Sequence, residues 1–94
     1  MKIELNVDDQ SLYRAILLLK TEKECRSFFR DLLTEPEIKE FTNRWKVAQM
    51  LDKKVSYEHI VQETGMSTTT IARISKWLHK GMGGYQLIID RLSK

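Results

Sequence analysis

The chain is poor in cysteine, proline and glycine, with one, one and four in 94 residues, and each scarcity removes a class of protein. Cys25 by itself can close neither an internal disulfide nor a four-ligand zinc site. Its apolar surroundings mark it as a buried free thiol, which fits a reducing compartment. With so little proline and glycine there is no long linker, and no repeat or low-complexity tract appears. No convincing period-2 strand is present. The longest apolar run, Ala15 to Leu19, is far short of the roughly 20 residues that cross a bilayer. The opening Met1-Lys2-Ile3-Glu4 has no signal-peptide core. A soluble, cytoplasmic protein with no membrane partner is expected.

Catalytic signatures are missing as well. There is no G-x-S-x-G, H-E-x-x-H, C-x-x-C or P-loop, so no enzyme is expected. Gly81-Met82-Gly83-Gly84 follows a helical stretch rather than a strand and reads as a hinge, not a phosphate cradle. His59 and His79 are isolated, and no metal site is expected. His79, near a helix C-terminus, suits the macrodipole there.

What is present is charge, unevenly placed. Residues 1–40 hold 7 Lys/Arg against 9 Asp/Glu, and residues 41–94 hold 9 against 4, within a net charge of +3. A basic half of this kind points to a polyanionic partner. The length suits one domain, residues 1–94, with only a modest core of its own.

Helical spacing recurs throughout and predicts an all-α chain of six helices. The first, from about Asp9 to Leu19, is apolar around most of its circumference through Leu12, Tyr13, Ala15, Ile16, Leu17, Leu18 and Leu19. Such a helix must be covered on more than one side, which in a chain this short favours a second subunit. Thr21-Glu22-Lys23-Glu24 has capping-box spacing and opens a helix with a Cys25, Phe28, Phe29, Leu32, Leu33 stripe. A third starts at Thr34, carries Pro36 in its first turn where proline is tolerated, and runs to about Lys53, burying Ile38, Phe41, Trp45, Ala48 and Leu51. Ser56 caps a short helix to Thr64, and Ser67 caps another to about Lys80. The last, Tyr85 to Leu92, buries Tyr85, Ile88, Ile89 and Leu92.

The segment Tyr57 to Leu78 carries the functional signal. It reads as helix, glycine turn, helix, with Gly65 at the sharp turn and Ile60, Val61, Met66, Ile71 and Ile74 spaced to pack the two helices together. Ser67 can accept from the backbone N–H of Thr69 or Thr70. The second helix turns Ser67, Thr68, Thr69 and Ala72 outward, then Arg73 and Lys76. Small side chains at the start let a helix seat in a major groove, where methyl groups meet thymine and hydroxyls reach base edges or phosphates. Arg73 could instead lie back over Trp77 as a cation–π partner. Three consecutive threonines are poor helix formers, a local conflict of the kind found at binding faces. Arg44, Lys46 and Ser56 are candidate phosphate contacts.

With these residues in view, the chain from about Phe28 to Leu92 resembles the Trp repressor superfamily, and within it the Trp repressor-related YerC/YecD family. The resemblance rests on Leu32-Leu33-Thr34, Arg44-Trp45-Lys46-Val47-Ala48, Ser56-Tyr57, Thr64 through Arg73, and Gly84-Tyr85. It implies a six-helix fold with the helix-turn-helix as fourth and fifth helices, a homodimer of intertwined helices, and a transcription regulator bound to double-stranded DNA. Arg44 and Arg73 match two arginines that flank an indole in the tryptophan-responsive members. A glycine of that site is replaced by Ile74, and Trp77 stands where a small residue would lie near the ligand amine. The pocket thus reads as filled by the protein's own side chains, and neither a tryptophan corepressor nor any other cofactor is expected.

Two other functions share some of these features. A helical protein–protein module would more readily show aromatic and Met anchors than exposed Thr68, Thr69, Arg73 and Lys76. A DNA-binding accessory of transcription or replication, such as an initiator or transposase module, would use the same motif. The lack of a catalytic domain weighs against the latter.

Overall fold

The helices expected from spacing all form. A computed structural model of the protein describes residues 6–93, and within them six α-helices and no strand are found. These are α1 (Val7–Leu17), α2 (Glu22–Leu32), α3 (Glu35–Asp52), α4 (Tyr57–Thr64), α5 (Thr68–Lys80) and α6 (Gly84–Leu92). Met1 to Glu4, read above as lacking a secretory core, lie outside the described residues. No helix among the described residues is long and apolar enough to cross a membrane. The chain divides into two compact units, the first ending at Glu35 and the second beginning at Pro36.

In the first unit, α1 begins and ends two residues earlier than expected. Asn6 caps it, its side-chain oxygen accepting from the Asp9 N–H at 2.8 Å, and Asp8 and Asp9 in the first turn suit the positive helix start. Thr21 caps α2 by accepting from the Glu24 N–H at 3.1 Å, and Glu24 in turn accepts from the Lys20 N–H. Glu24 thus reaches past the cap to the residue before it, one residue beyond the partner of a true capping box. Neither helix buries a residue. Leu17 is 82% exposed, Leu18 73% and Leu32 49%. Cys25, expected to be buried, is half-buried, as are Phe28 and Phe29 of the same stripe. Phe28 and Phe29 meet edge to face at 5.6 Å.

The second unit holds the core. Val47, Ala48 and Leu51 of α3 pack with Ile60 of α4, with Ile71, Ile74 and Leu78 of α5, and with Ile89 of α6. Val47, Ala48, Ile60 and Ile71 are wholly removed from water. Only the later half of α3 contributes, so Phe41, expected inside, is 50% exposed, and Ile38 is half-buried. Val47, absent from the expected face, lies at the centre. On α6 a single position reaches the core, and Ile88 and Leu92, also expected inside, are 42% and 65% exposed. A nine-residue helix at the edge of the core presents only a narrow line to it. Trp45 and Tyr85 stack at 6.3 Å beside the core.

Truncating a fully enclosed β-branched side chain leaves a cavity that a small core cannot close. Ile71→Ala should therefore lower unfolding free energy by about 2–5 kcal/mol, read as a lower urea midpoint at unchanged slope, whereas Ile88→Ala should shift the midpoint far less.

Candidate nucleic-acid interface

The pair α4–α5 is fixed at both ends by local hydrogen bonds. Ser56 caps α4, its hydroxyl oxygen accepting from the His59 N–H at 3.2 Å. At the other end the Thr64 hydroxyl donates to the Ile60 carbonyl at 2.7 Å and accepts from the Met66 N–H at 3.2 Å. Between them Gly65 takes φ 74°, a left-handed conformation that glycine adopts without a Cβ clash. Its N–H closes α4 on the Val61 carbonyl at 2.8 Å. One threonine thus ties the last turn of α4 to the entry of α5. Thr64 was not among the expected site residues, although a threonine directly before a turn glycine is a local signal for this bond.

Ser67 caps α5 by accepting from the Thr70 N–H at 3.2 Å, and its hydroxyl also lies 3.0 Å from that of Thr70. The run of three threonines is therefore divided in role. Thr70 is half-buried and turned to the cap, whereas Thr68 and Thr69 are exposed. Ile71, Ile74 and Leu78 take the inner face. Ala72, Arg73 and Lys76 are exposed on the outside with the two threonines, so α5 brings together the six residues expected there. The helix contains no Asp or Glu, and neither Arg73 nor Lys76 enters an ion pair among the described residues. Basic character continues past Lys76 into His79 and Lys80 in the last turn, where a shallow groove is lined by Ala72, Ser75, Lys76, His79 and Lys80. Ser75, His79 and Lys80 were not among the expected residues, and the absence of acid along α5 is the signal that points to them.

The candidate phosphate contacts are less uniform. Lys46 is exposed. Ser56 is exposed, and with its oxygen engaged as the α4 cap it keeps a hydrogen to donate. Arg44 is held by Glu40 at 2.7 Å one turn back on α3, and a phosphate there would compete with that carboxylate. Arg44 also lines an open cleft of about 460 Å³ with Trp77, Met82, Gly84 and Tyr85. Ile74 is drawn into the core at 4% exposure, while Trp77, at 40%, forms one wall of the cleft and leaves it open. The Trp77 ring lies so close over Gly81 that a Cβ added there would come within 2.8 Å of Cε3. No cation–π contact joins Arg73 to Trp77 among the described residues, so the bracing role considered for Arg73 has no geometric basis. No group of His, Cys, Asp and Glu suited to a metal is found among the described residues.

Comparison with known proteins adds to this geometry. The family model for Trp repressor protein matches residues 8–93. A Bacillus subtilis protein named YerC, described as uncharacterized, is 41% identical over 83 residues, covering 88% of this chain and 80% of its own length. A crystal structure of a Staphylococcus aureus protein assigned provisionally as a Trp repressor superposes with TM-score 0.89 at 38% identity, covering 95% of this chain and 89% of that one. A Trp repressor-like protein from Eubacterium eligens superposes with TM-score 0.90 at 38% identity, over 94% and 91%.

The division of labour at the α5 start is measurable without any ligand. Ser67→Ala removes the cap and should cost about 0.5–2 kcal/mol of stability. Thr69→Ala replaces a poor helix former at an exposed position with the best one and should be neutral or slightly stabilising. Arg73→Ala should leave the thermal midpoint within a degree or two of the parent, since no partner is lost. Thermal unfolding by circular dichroism checks all three.

Proposed function

The chain belongs to the Trp repressor protein family, and from that premise we propose that it is a sequence-specific, double-stranded-DNA-binding transcription regulator, a repressor, that works as a homodimer through α4–α5. The observation that carries this reading is the outer face of α5. It begins with small hydroxyl and methyl side chains at a capped helix start and continues into Arg73 and Lys76 with no carboxylate. Thr68 and Thr69 contact base edges, with Ala72 offering a methyl group to thymine. Ser67, Arg73 and Lys76 hold phosphates, joined by Arg44, Lys46 and Ser56. A recognition helix meets bases through its N-terminal residues, and Lys76 lies about 12 Å further along the axis than Thr68.

The homodimer is supported by the apolar surface that α1 and α2 leave uncovered, with no residue of either helix buried. A two-fold dimer reads two half-sites about one helical turn apart, so the operator is a palindrome. No corepressor is needed in this reading, because Ile74 occupies the core position that the resemblance assigns to a glycine beside the indole. A protein-docking function has one observation in its favour, the exposed Trp77 and Met82 at the cleft, 40% and 67% accessible, of the residue types that anchor interfaces.

Selection from a random duplex library at two salt concentrations tests the reading. A recovered palindrome, with a sedimenting mass twice that of the chain, is expected. A folded monomer that enriches no sequence and binds no duplex at low salt would defeat it in favour of protein docking. Lys76→Ala should weaken binding equally on all sequences and reduce the salt slope by about 1 per chain. Thr69→Ala should keep the slope and change preference at one base pair by about 1–3 kcal/mol. Calorimetry with millimolar tryptophan should give no saturable heat, and tryptophan-tightened DNA binding would refute the corepressor-free reading.

A further inference from the structure

Lys54 is the one non-glycine residue at positive φ, 62°, among the described residues. It stands between the end of α3 and Ser56, the cap of α4. Its N–H donates to the Leu51 carbonyl and that of Val55 to the Met50 carbonyl, both at 3.0 Å. These bonds close a helix end through a left-handed residue, a place usually taken by glycine or asparagine because other side chains crowd the backbone there. The end of α4 is closed in the usual way, by Gly65 at φ 74°. Two helix ends a dozen residues apart are thus closed differently, and the one bearing lysine is the less comfortable. Packing does not explain it, since Lys54 is exposed and enters no ion pair among the described residues. Charge at the α3 C-terminus is a partial reason, but Lys53 already supplies that one residue earlier.

The position of Lys54 supplies a fuller one. From Tyr57 to Thr64, α4 spans about 12 Å, and its far end passes through the Gly65 turn into the start of α5. Lys54 precedes α4 by three residues, at the end of that helix opposite to the one that leads into α5. A B-DNA major groove is about 12 Å wide, and the first helix of a helix-turn-helix crosses the backbone at its edge. With the start of α5 on the groove floor, the front of α4 falls at the flanking phosphates.

We propose that Lys54, with Lys53 beside it, is the phosphate anchor of the first helix of the motif, kept at a left-handed position that would favour glycine because its ammonium group is needed on the DNA backbone. The inference rests on the reading that α5 enters the groove. The Ser56 hydroxyl and that of the exposed Tyr57 stand next in line as donors to the same strand. Folding and binding then make opposite demands on position 54, which gives the proposal its test.

Lys54→Asn suits the backbone and removes the charge. Its thermal midpoint should equal or exceed that of the parent. Its affinity should fall equally on duplexes of unrelated sequence, and its salt slope should lessen by about 1 per chain, shrinking the affinity lost between 50 and 200 mM salt by about 3.5-fold per chain. Lys54→Gly should repeat the result, excluding an effect peculiar to asparagine. Unchanged affinity and slope in both variants, beside a reduced slope in Lys76→Ala, would overturn the anchor while leaving the DNA-binding reading intact. If the parent protein binds no duplex at 50 mM salt, the DNA-binding reading falls and the anchor falls with it.

Discussion

The enclosed cluster that joins Ile60 of α4 and Ile71 of α5 to Val47 and Ala48 of α3 sets the direction in which everything on α5 points. Helices packed through enclosed side chains cannot rotate about their own axes without opening a void, and interiors tolerate voids poorly. With Ile71, Ile74 and Leu78 committed inward, the opposite arc of the helix is committed outward. That arc carries Thr68, Thr69, Ala72, Arg73 and Lys76. The same cluster fixes the angle at which α4 approaches, and the turn between α4 and α5 is held locally by Thr64 and Gly65. Orientation therefore comes from the core, and entry angle from two residues of the loop.

The composition of α5 reflects two requirements that do not agree. As a helix it would be better served by alanine or leucine than by Thr68 and Thr69, each costing up to about 0.7 kcal/mol of propensity. As a surface for a polyanion it benefits from small polar groups, cations and the absence of carboxylate. The Ser67 cap, with its hydroxyl contact to Thr70, offsets part of the poor propensity where the helix begins. Position 54 repeats the conflict in another form, with a cation placed where backbone geometry would prefer glycine. Both lie in the α3-to-α5 stretch, and both are consistent with a surface shaped by something outside the chain.

Much of this was legible in the chain because the signals are short-ranged. Serine and threonine before an apolar helical period place a helix start through one side-chain hydrogen bond, and Thr21, Ser56 and Ser67 all do so. Gly65 between two apolar-periodic segments announces the left-handed turn. The candidate site residues of α5 follow from the same periodicity, since fixing Ile71 and Ile74 inside leaves Thr68, Thr69, Ala72, Arg73 and Lys76 outside. What failed were judgements of depth. Phe41, Ile88 and Leu92 have the spacing of buried residues yet remain at least two-fifths exposed, and Val47, outside the stripe, is at the centre. Periodicity says which face of a helix is apolar, not how much of its length a neighbour covers.

Capping, helix register, the all-α class and the basic, acid-free face of α5 were thus determined by the sequence itself, because each depends on residues within about one turn of one another. The tertiary structure alone decided that Arg44 shares an open cleft with Trp77 and Tyr85, and that Trp45 of α3 stacks on Tyr85 of α6 beside the core. It likewise decided which apolar side chains lose their water. Those outcomes depend on where separate helices come to rest against one another, and pairings between residues dozens of positions apart leave no trace in local spacing.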